Sequence, residues 1–215
     1  MDDARLRRAL RLVLVSDGQG DLARLDRLVG AALTGGVRAV QVREPSLPDE
    51  ALAPRLASWR ARLDALGGVL FVNERPGLVG FGLAHGVHLK AGPARVAALR
   101  ARLPAGALVS ASAHDAEELR AARAADGLVL APVLATASKP AAIPLGVAGA
   151  RALMAQTTSP VLWLGGFTAT TLAALPPGTW PCGFAVLGAL AIDDADAPAR
   201  AAALVRAVDA ILGPP

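Results

Sequence analysis

The chain has 215 residues, with 22 Lys+Arg against 18 Asp+Glu, 53% apolar residues and 3% aromatics. That length and apolar content fit one compact domain over residues 1–215 and exclude a disordered chain. The net charge of +4 comes with too few aromatic rings for base stacking and with no recognisable recognition motif, so no nucleic acid is expected as a partner.

No apolar run reaches the roughly 18 residues needed to span a bilayer, so no membrane association is expected. The opening MDDARLRRALRLVLV lacks the apolar core and small-residue cleavage site of a signal peptide. Cys182 is the only cysteine, which rules out an intrachain disulfide and fits a cytoplasmic location.

A pattern repeats along the chain. An apolar run gives way to a polar loop, then to an Ala/Leu/Arg segment with helical spacing, then often to glycine or proline. Eight runs predict strands, over residues 11–16, 37–43, 69–73, 86–89, 107–111, 127–130, 160–164 and 183–187. Between them the spacing predicts helices over 22–33, 49–66, 78–84, 93–103, 115–124, 147–157, 168–175 and 195–212. Leu22, Leu25, Leu28, Val29 and Leu33 form one apolar stripe. Asp49 and Glu50 after Pro48 make a good helix start, and Asp115 followed by Glu117 and Glu118 makes another. Gly36, Gly68, Gly86, Gly127 and Gly183 precede strands and are expected to close helices with positive φ.

Strands alternating with helices imply parallel pairing and right-handed crossovers, and strands apolar throughout imply cover on both faces. Eight units favour a closed (β/α)8 TIM barrel. An open doubly wound sheet is the alternative, but no G-x-G-x-x-G follows the first strand. An exposed barrel face leaves a homo-oligomer open.

Chemistry in such a barrel gathers where the strands end. The first strand ends in Ser16-Asp17. The second carries Gln41 and Arg43, two apart and so on one face, and Arg43 beside Glu44 can be read as a rim ion pair. The third ends in Asn73-Glu74-Arg75. His88 lies on the fourth, with Lys90 just beyond, and Ser110, Ser112 and His114 come after the fifth, where His114 reads as a cap of the next helix. Thr136, Ser138 and Lys139 follow the sixth. Gly165-Gly166 and Leu187-Gly188-Ala189 end the last two, leaving backbone amides uncovered as a phosphate site would need. The opposite rim reads as mostly Gly, Pro and Ala, which marks the first as the functional one.

The stretch from Leu128 to Lys139, LVLAPVLATASK, concentrates this logic. A buried strand stops at Pro132, which cannot donate to a ladder, and opens into hydroxyls and an ammonium able to hold an anion. The chain has two lysines, Lys90 and Lys139, and every other basic position is arginine. A lysine kept against that drift points to a site that wants a compact, flexible point charge.

The stretches VLVSD, TGGVRAVQVRE, FVNERPGL, HGVHL, SASAHDAEEL, APVLATASKP, VLWLGGFT and GFAVLGAL occur in order over nearly the whole chain. With them the chain resembles the thiamine-phosphate synthase/TenI family. The resemblance implies a (β/α)8 barrel and small phosphorylated substrates. The synthase joins an aminopyrimidine methyl pyrophosphate to a thiazole phosphate, releasing pyrophosphate. Gln41 and His88 would lie by the pyrimidine. Arg43, Asn73, Ser112 and Lys139 would contact pyrophosphate. Thr136, Ser138, Gly166 and Gly188 would hold the thiazole phosphate, with Gly165 and Leu187 beside them.

The resemblance also implies Mg2+, held by two aspartates. Here Gly77 stands at the first of those positions and Pro93 near the second, and Pro45 replaces a pyrophosphate-facing lysine. Glu74 and Asp17 are the candidate replacements. The TenI branch, some of whose members are thiazole tautomerases, also tolerates loss of the metal site, but its histidine falls at Pro132. Two alternatives to a synthase follow: a TenI-like thiazole tautomerase, and a non-catalytic barrel that binds thiazole phosphate.

Overall fold

The computed structural model describes residues 3–92, 95–191 and 194–213. Eight parallel strands close into a barrel in chain order: β1 (Leu12–Val15), β2 (Ala39–Val42), β3 (Val69–Asn73), β4 (Gly86–Leu89), β5 (Leu108–Ala113), β6 (Gly127–Leu130), β7 (Val161–Leu164) and β8 (Gly183–Val186). β8 returns to pair with β1, Leu12 opposite Phe184, so the sheet has no free edge. Helices fill each crossover: α2 (Leu22–Thr34), α3 (Asp49–Ala65), α4 (Pro76–Gly80), α5 (Arg95–Arg100), α6 (Ala116–Ala121), α7 (Gly146–Met154), α8 (Ala169–Ala173) and α9 (Ala197–Leu212). All eight predicted strands are present, and three have the predicted bounds.

Alternation along each strand divides the apolar residues between two cores. Leu14, Val40, Leu70, Val72, Val87 and Leu128 point outward and pack under the helices. Val13, Val15, Ala39, Val69, Phe71, Val129, Leu162 and Ala185 point inward and fill the lumen. The lumen is stopped at the N-terminal ends of the strands by α1 (Asp3–Ala9), which presents Leu6 and Ala9, with Leu10 following, to that inner cluster. The sequence pattern did not predict α1. At seven residues it carries too little periodicity to stand out, and its apolar side has meaning only against the barrel floor.

The caps follow from side chains. Asp21 accepts from the amides of Ala23 and Arg24 to start α2, and Asp115 does the same for Glu117 and Glu118 at α6. Thr168 and Thr171 form a reciprocal capping box at α8. His114 is therefore not the cap; its Nδ1 pairs with Glu118 at 2.8 Å.

The glycines before strands require a correction. Gly36 has the expected positive φ of 100°, but Gly68, Gly86, Gly127 and Gly183 do not. A Cβ at Gly68 would lie 2.4 Å from the Arg38 carbonyl, at Gly86 2.5 Å from that of Leu108, and at Gly183 2.0 Å from that of Leu10. Those three are glycine because a neighbouring backbone passes where a side chain would stand.

Candidate active site

Gln41, Asn73, His88, Ser110 and Ser112 replace apolar side chains on adjacent strands β2 to β5, so one side of the upper lumen is polar. Parallel register sets the heights: Asn73 lies opposite His88, and His88 opposite Ser110. Gln41 Nε2 donates to Asn73 Oδ1 at 3.3 Å. His88 is wedged between two hydroxyls, Nδ1 to Ser110 Oγ and Nε2 to Ser112 Oγ, both 2.9 Å. It is 5% exposed, and burial pushes its pKa down to about 4 against a small opposing pull from Glu74. The imidazole is therefore neutral at pH 7, with both nitrogens engaged.

Across the mouth the β6–α7 loop sits against the β7–α8 turn. Val133 N donates to Leu164 O at 2.9 Å and Leu134 N to Gly165 O at 3.2 Å. Gly165 and Gly166 have φ of 113° and 73°, and a Cβ on Gly166 would stand 2.4 Å from the Ala135 carbonyl. Only glycine permits both the turn and the approach. The loop closes at its base, Leu145 N to Pro132 O at 2.9 Å and Gly146 N to Val133 O at 3.0 Å. Its far part carries Thr136 and Ser138, whose hydroxyls are 3.1 Å apart, and the exposed Lys139. After β8, Leu187 O accepts from the amides of Leu190 and Ala191, making one turn that begins at the exposed Gly188.

Of the predicted site residues, the structure brings Gln41 against Asn73, His88 against Ser112, Thr136 against Ser138, and Gly165-Gly166 against the loop that bears them. Arg43 and Lys139 are exposed and form no ion pair among the described residues. The Arg43–Glu44 pair read from sequence is not formed. Glu44 instead turns inward, 3% exposed, and accepts from the amides of Gly18 at 3.2 Å and Gly20 at 2.9 Å. A charged residue among exposed neighbours gives no sign in the sequence that it will organise the β1–α2 loop. Arg75 straps the same region, donating to the carbonyls of Glu44 and Leu47, both at 2.7 Å.

The opposite rim is not bare, contrary to its sequence reading. A cleft of about 560 Å³ there is lined by Arg5, Arg8, Arg11 and Arg38 with Asp64 and Asp209. Arg11 is paired with Asp209 at 2.7 Å, Arg5 donates to Gly67 O, and Arg38 donates to the carbonyls of Leu33 and Val37. His85 on that side accepts from Leu70 N at 3.0 Å and meets Asp64 at 2.8 Å, which ties β3 to β4. These contacts join elements of the fold, whereas at the other rim Lys139 and Arg43 have no ion pair among the described residues.

The family model described as thiamine monophosphate synthase matches residues 12–178. The chain belongs to the thiamine monophosphate synthase family. Its function is thiamine-phosphate synthase-like, that of a transferase of thiamine biosynthesis. Among relatives of the family, the thiamine-phosphate synthase of Chromobacterium violaceum is 40% identical over 196 residues, covering 87% of this chain and 91% of that one. The thiamine-phosphate synthase of Chloroflexus aurantiacus is 34% identical over 195 residues, covering 88% and 89%. The thiamine phosphate pyrophosphorylase of Pyrococcus furiosus superposes with a TM-score of 0.83 at 23% identity, over 96% of this chain and 99% of that chain, and shows the shared fold.

Proposed function

We propose that the C-terminal mouth of the barrel joins an aminopyrimidine methyl pyrophosphate to a thiazole phosphate, giving thiamine phosphate and pyrophosphate. The C–O bond to pyrophosphate breaks first, and its electron pair leaves with the pyrophosphate oxygen. The pyrimidine stabilises the methylene cation that remains. The thiazole nitrogen then supplies the pair for the new C–N bond. Gln41 and His88 face the pyrimidine, Arg43, Asn73, Ser112 and Lys139 face the leaving group, and Thr136, Ser138, Gly165, Gly166, Leu187 and Gly188 receive the thiazole phosphate.

One observation carries the choice of reaction. Asp17, Glu44 and Glu74, which follow β1, β2 and β3, are each engaged by protein donors, and the one imidazole in the lumen is neutral and hydrogen-bonded on both nitrogens. A tautomerase has to move a proton and needs an available base. Ionisation of a pyrophosphate needs donors for growing negative charge, and Arg43, Asn73 and Lys139 are donors. Asn73 spends its oxygen on Gln41, which directs its amide N–H groups elsewhere.

Residues 1–215 are read as one barrel domain. A cytoplasmic location is supported by the lone Cys182, whose thiol burial pushes up to about 12. No helix among the described residues is long and apolar enough to cross a membrane. The test is incubation with both substrates and chromatography for thiamine phosphate. Product from the pair supports the reading. Isomerisation of a thiazole carboxylate phosphate alone, or binding of thiazole phosphate with no product, overturns it.

A further inference from the structure

Of the two positions at which the resemblance implies magnesium-binding aspartates, Gly77 has no ligand atom on its side chain, and Pro93 lies outside the described residues. The nearby carboxylates are already bound. Asp17 has both oxygens on Arg24, at 2.9 Å each. Glu44 has both on the amides of Gly18 and Gly20. Glu74 has Oε1 on the Lys90 amide at 2.5 Å and on Arg95 at 3.2 Å, and Oε2 on Arg95 at 2.5 Å. Among the described residues no group of three or more His, Cys, Asp or Glu side chains is placed to hold a metal ion. Magnesium demands near-octahedral oxygen ligands, commonly one or two of them carboxylates. The described donor set does not fit it.

That corner of the mouth is cationic by construction. Glu74 takes a left-handed φ of 59°, uncommon outside glycine, and so turns its carboxylate onto the end of β4. Arg95 is anchored there, and Lys90 stands close enough to help keep Glu74 ionised. Two cations against one carboxylate leave a net positive charge. Arg95 is spent on Glu74, whereas the Lys90 ammonium has no ion pair among the described residues. Lys90 and Lys139 both follow strands at this rim, after β4 and β6.

We propose that Lys90, positioned beside the Glu74–Arg95 pair, binds the substrate's pyrophosphate without a divalent metal, taking a position that a cation would otherwise neutralise. The inference rests on the synthase reading for the identity of the ligand. An ammonium supplies one charge and three donors. Against a multiply charged phosphate it forms charge-assisted hydrogen bonds, and it needs no carboxylate scaffold to hold it in place.

Calorimetry with inorganic pyrophosphate tests this on the full chain, first in EDTA and then with excess magnesium. Pyrophosphate is expected to bind in EDTA, and excess magnesium, which complexes free pyrophosphate and lowers its charge, is expected not to tighten that binding. Lys90→Met is expected to weaken binding by about 10-fold to 100-fold, the loss of one charge-assisted contact. Mn2+ titrated into the protein alone should retain its free-ion paramagnetic resonance signal. Absence of binding in EDTA, marked tightening by magnesium, stoichiometric Mn2+ uptake, or a Lys90→Met variant that binds like the parent would each overturn the inference. The two readings fail separately. Metal-free pyrophosphate binding with no thiamine phosphate formed sinks the synthase and spares this site. Thiamine phosphate formed only with magnesium does the reverse.

Discussion

Acidification reports directly on His88. Its folded pKa is about 4 against an ordinary 6.5, because burial penalises the imidazolium. A depressed pKa means that the unfolded chain takes up a proton between those values while the folded chain does not. The contribution of His88 is therefore complete above about pH 6.5 and is lost as pH falls towards 4. The difference between those two values corresponds to about 3 kcal/mol, acquired at no more than about 1.4 kcal/mol for each step of one in pH. Urea unfolding from pH 7 to 4 measures it, with His88→Gln as the reference, since glutamine still hydrogen-bonds to a serine but cannot titrate. His85, whose pKa burial also lowers, acts in the same direction in both proteins and cancels in the difference. The parent should lose stability more steeply than the variant in this window. Parallel curves, or an imidazole resonance that titrates near 6.5 and belongs to His88, would refute the burial argument.

Four further outcomes follow from geometry. Gly166→Ala should destabilise by about 1–2 kcal/mol from left-handed strain alone, and by more once the clash with the Ala135 carbonyl is added. It should also raise the KM for thiazole phosphate while hardly affecting that for the pyrimidine substrate. Gly188→Ala, with nothing within 4 Å of the new carbon, should unfold like the parent in the same assay. Glu44→Gln should lower stability by about 2 kcal/mol in urea at pH 7, because a buried acceptor of two amide bonds is replaced at one oxygen by a donor; an unmoved midpoint would show that the carboxylate does not order the loop. Lys139→Ala should lower kcat/KM by about 10²–10³ with an unchanged circular dichroism spectrum, and a loss under threefold would remove it from the leaving-group contacts.

Much of the barrel was legible because its strands are short, apolar and punctuated by glycine or proline. The bounds of β3, β4 and β6 coincide with the predicted ones. The lumen side of the site was legible for a different reason. A polar side chain at the end of a buried strand is costly unless it meets a partner or a ligand, so Gln41, Asn73 and His88 stand out against their apolar surroundings. Period-two alternation alone puts Gln41 and Arg43 on one face. What could not be read was any feature whose cause lies in a distant segment. α1 is too short to be periodic and is held by the barrel floor. Glu44 and Arg43 are neighbours in sequence, yet one is buried under the β1–α2 loop and the other is exposed. Gly68, Gly86 and Gly183 are excused from carrying a side chain by a passing backbone, not by their own φ.

The order of the eight strands and of the helices that follow them, the family and the rim on which Lys90 and Lys139 lie were determined by the chain alone, because periodicity, capping and turn chemistry act over a few residues. Whether a carboxylate is free to hold a metal was decided only by tertiary structure. Glu74 and Asp17 have the right chemistry for ligands when read along the chain. They are consumed by Arg95, Arg24 and the Lys90 amide, since the closed barrel carries those donors to within hydrogen-bonding distance, and a charge that is already paired has little left to offer an ion.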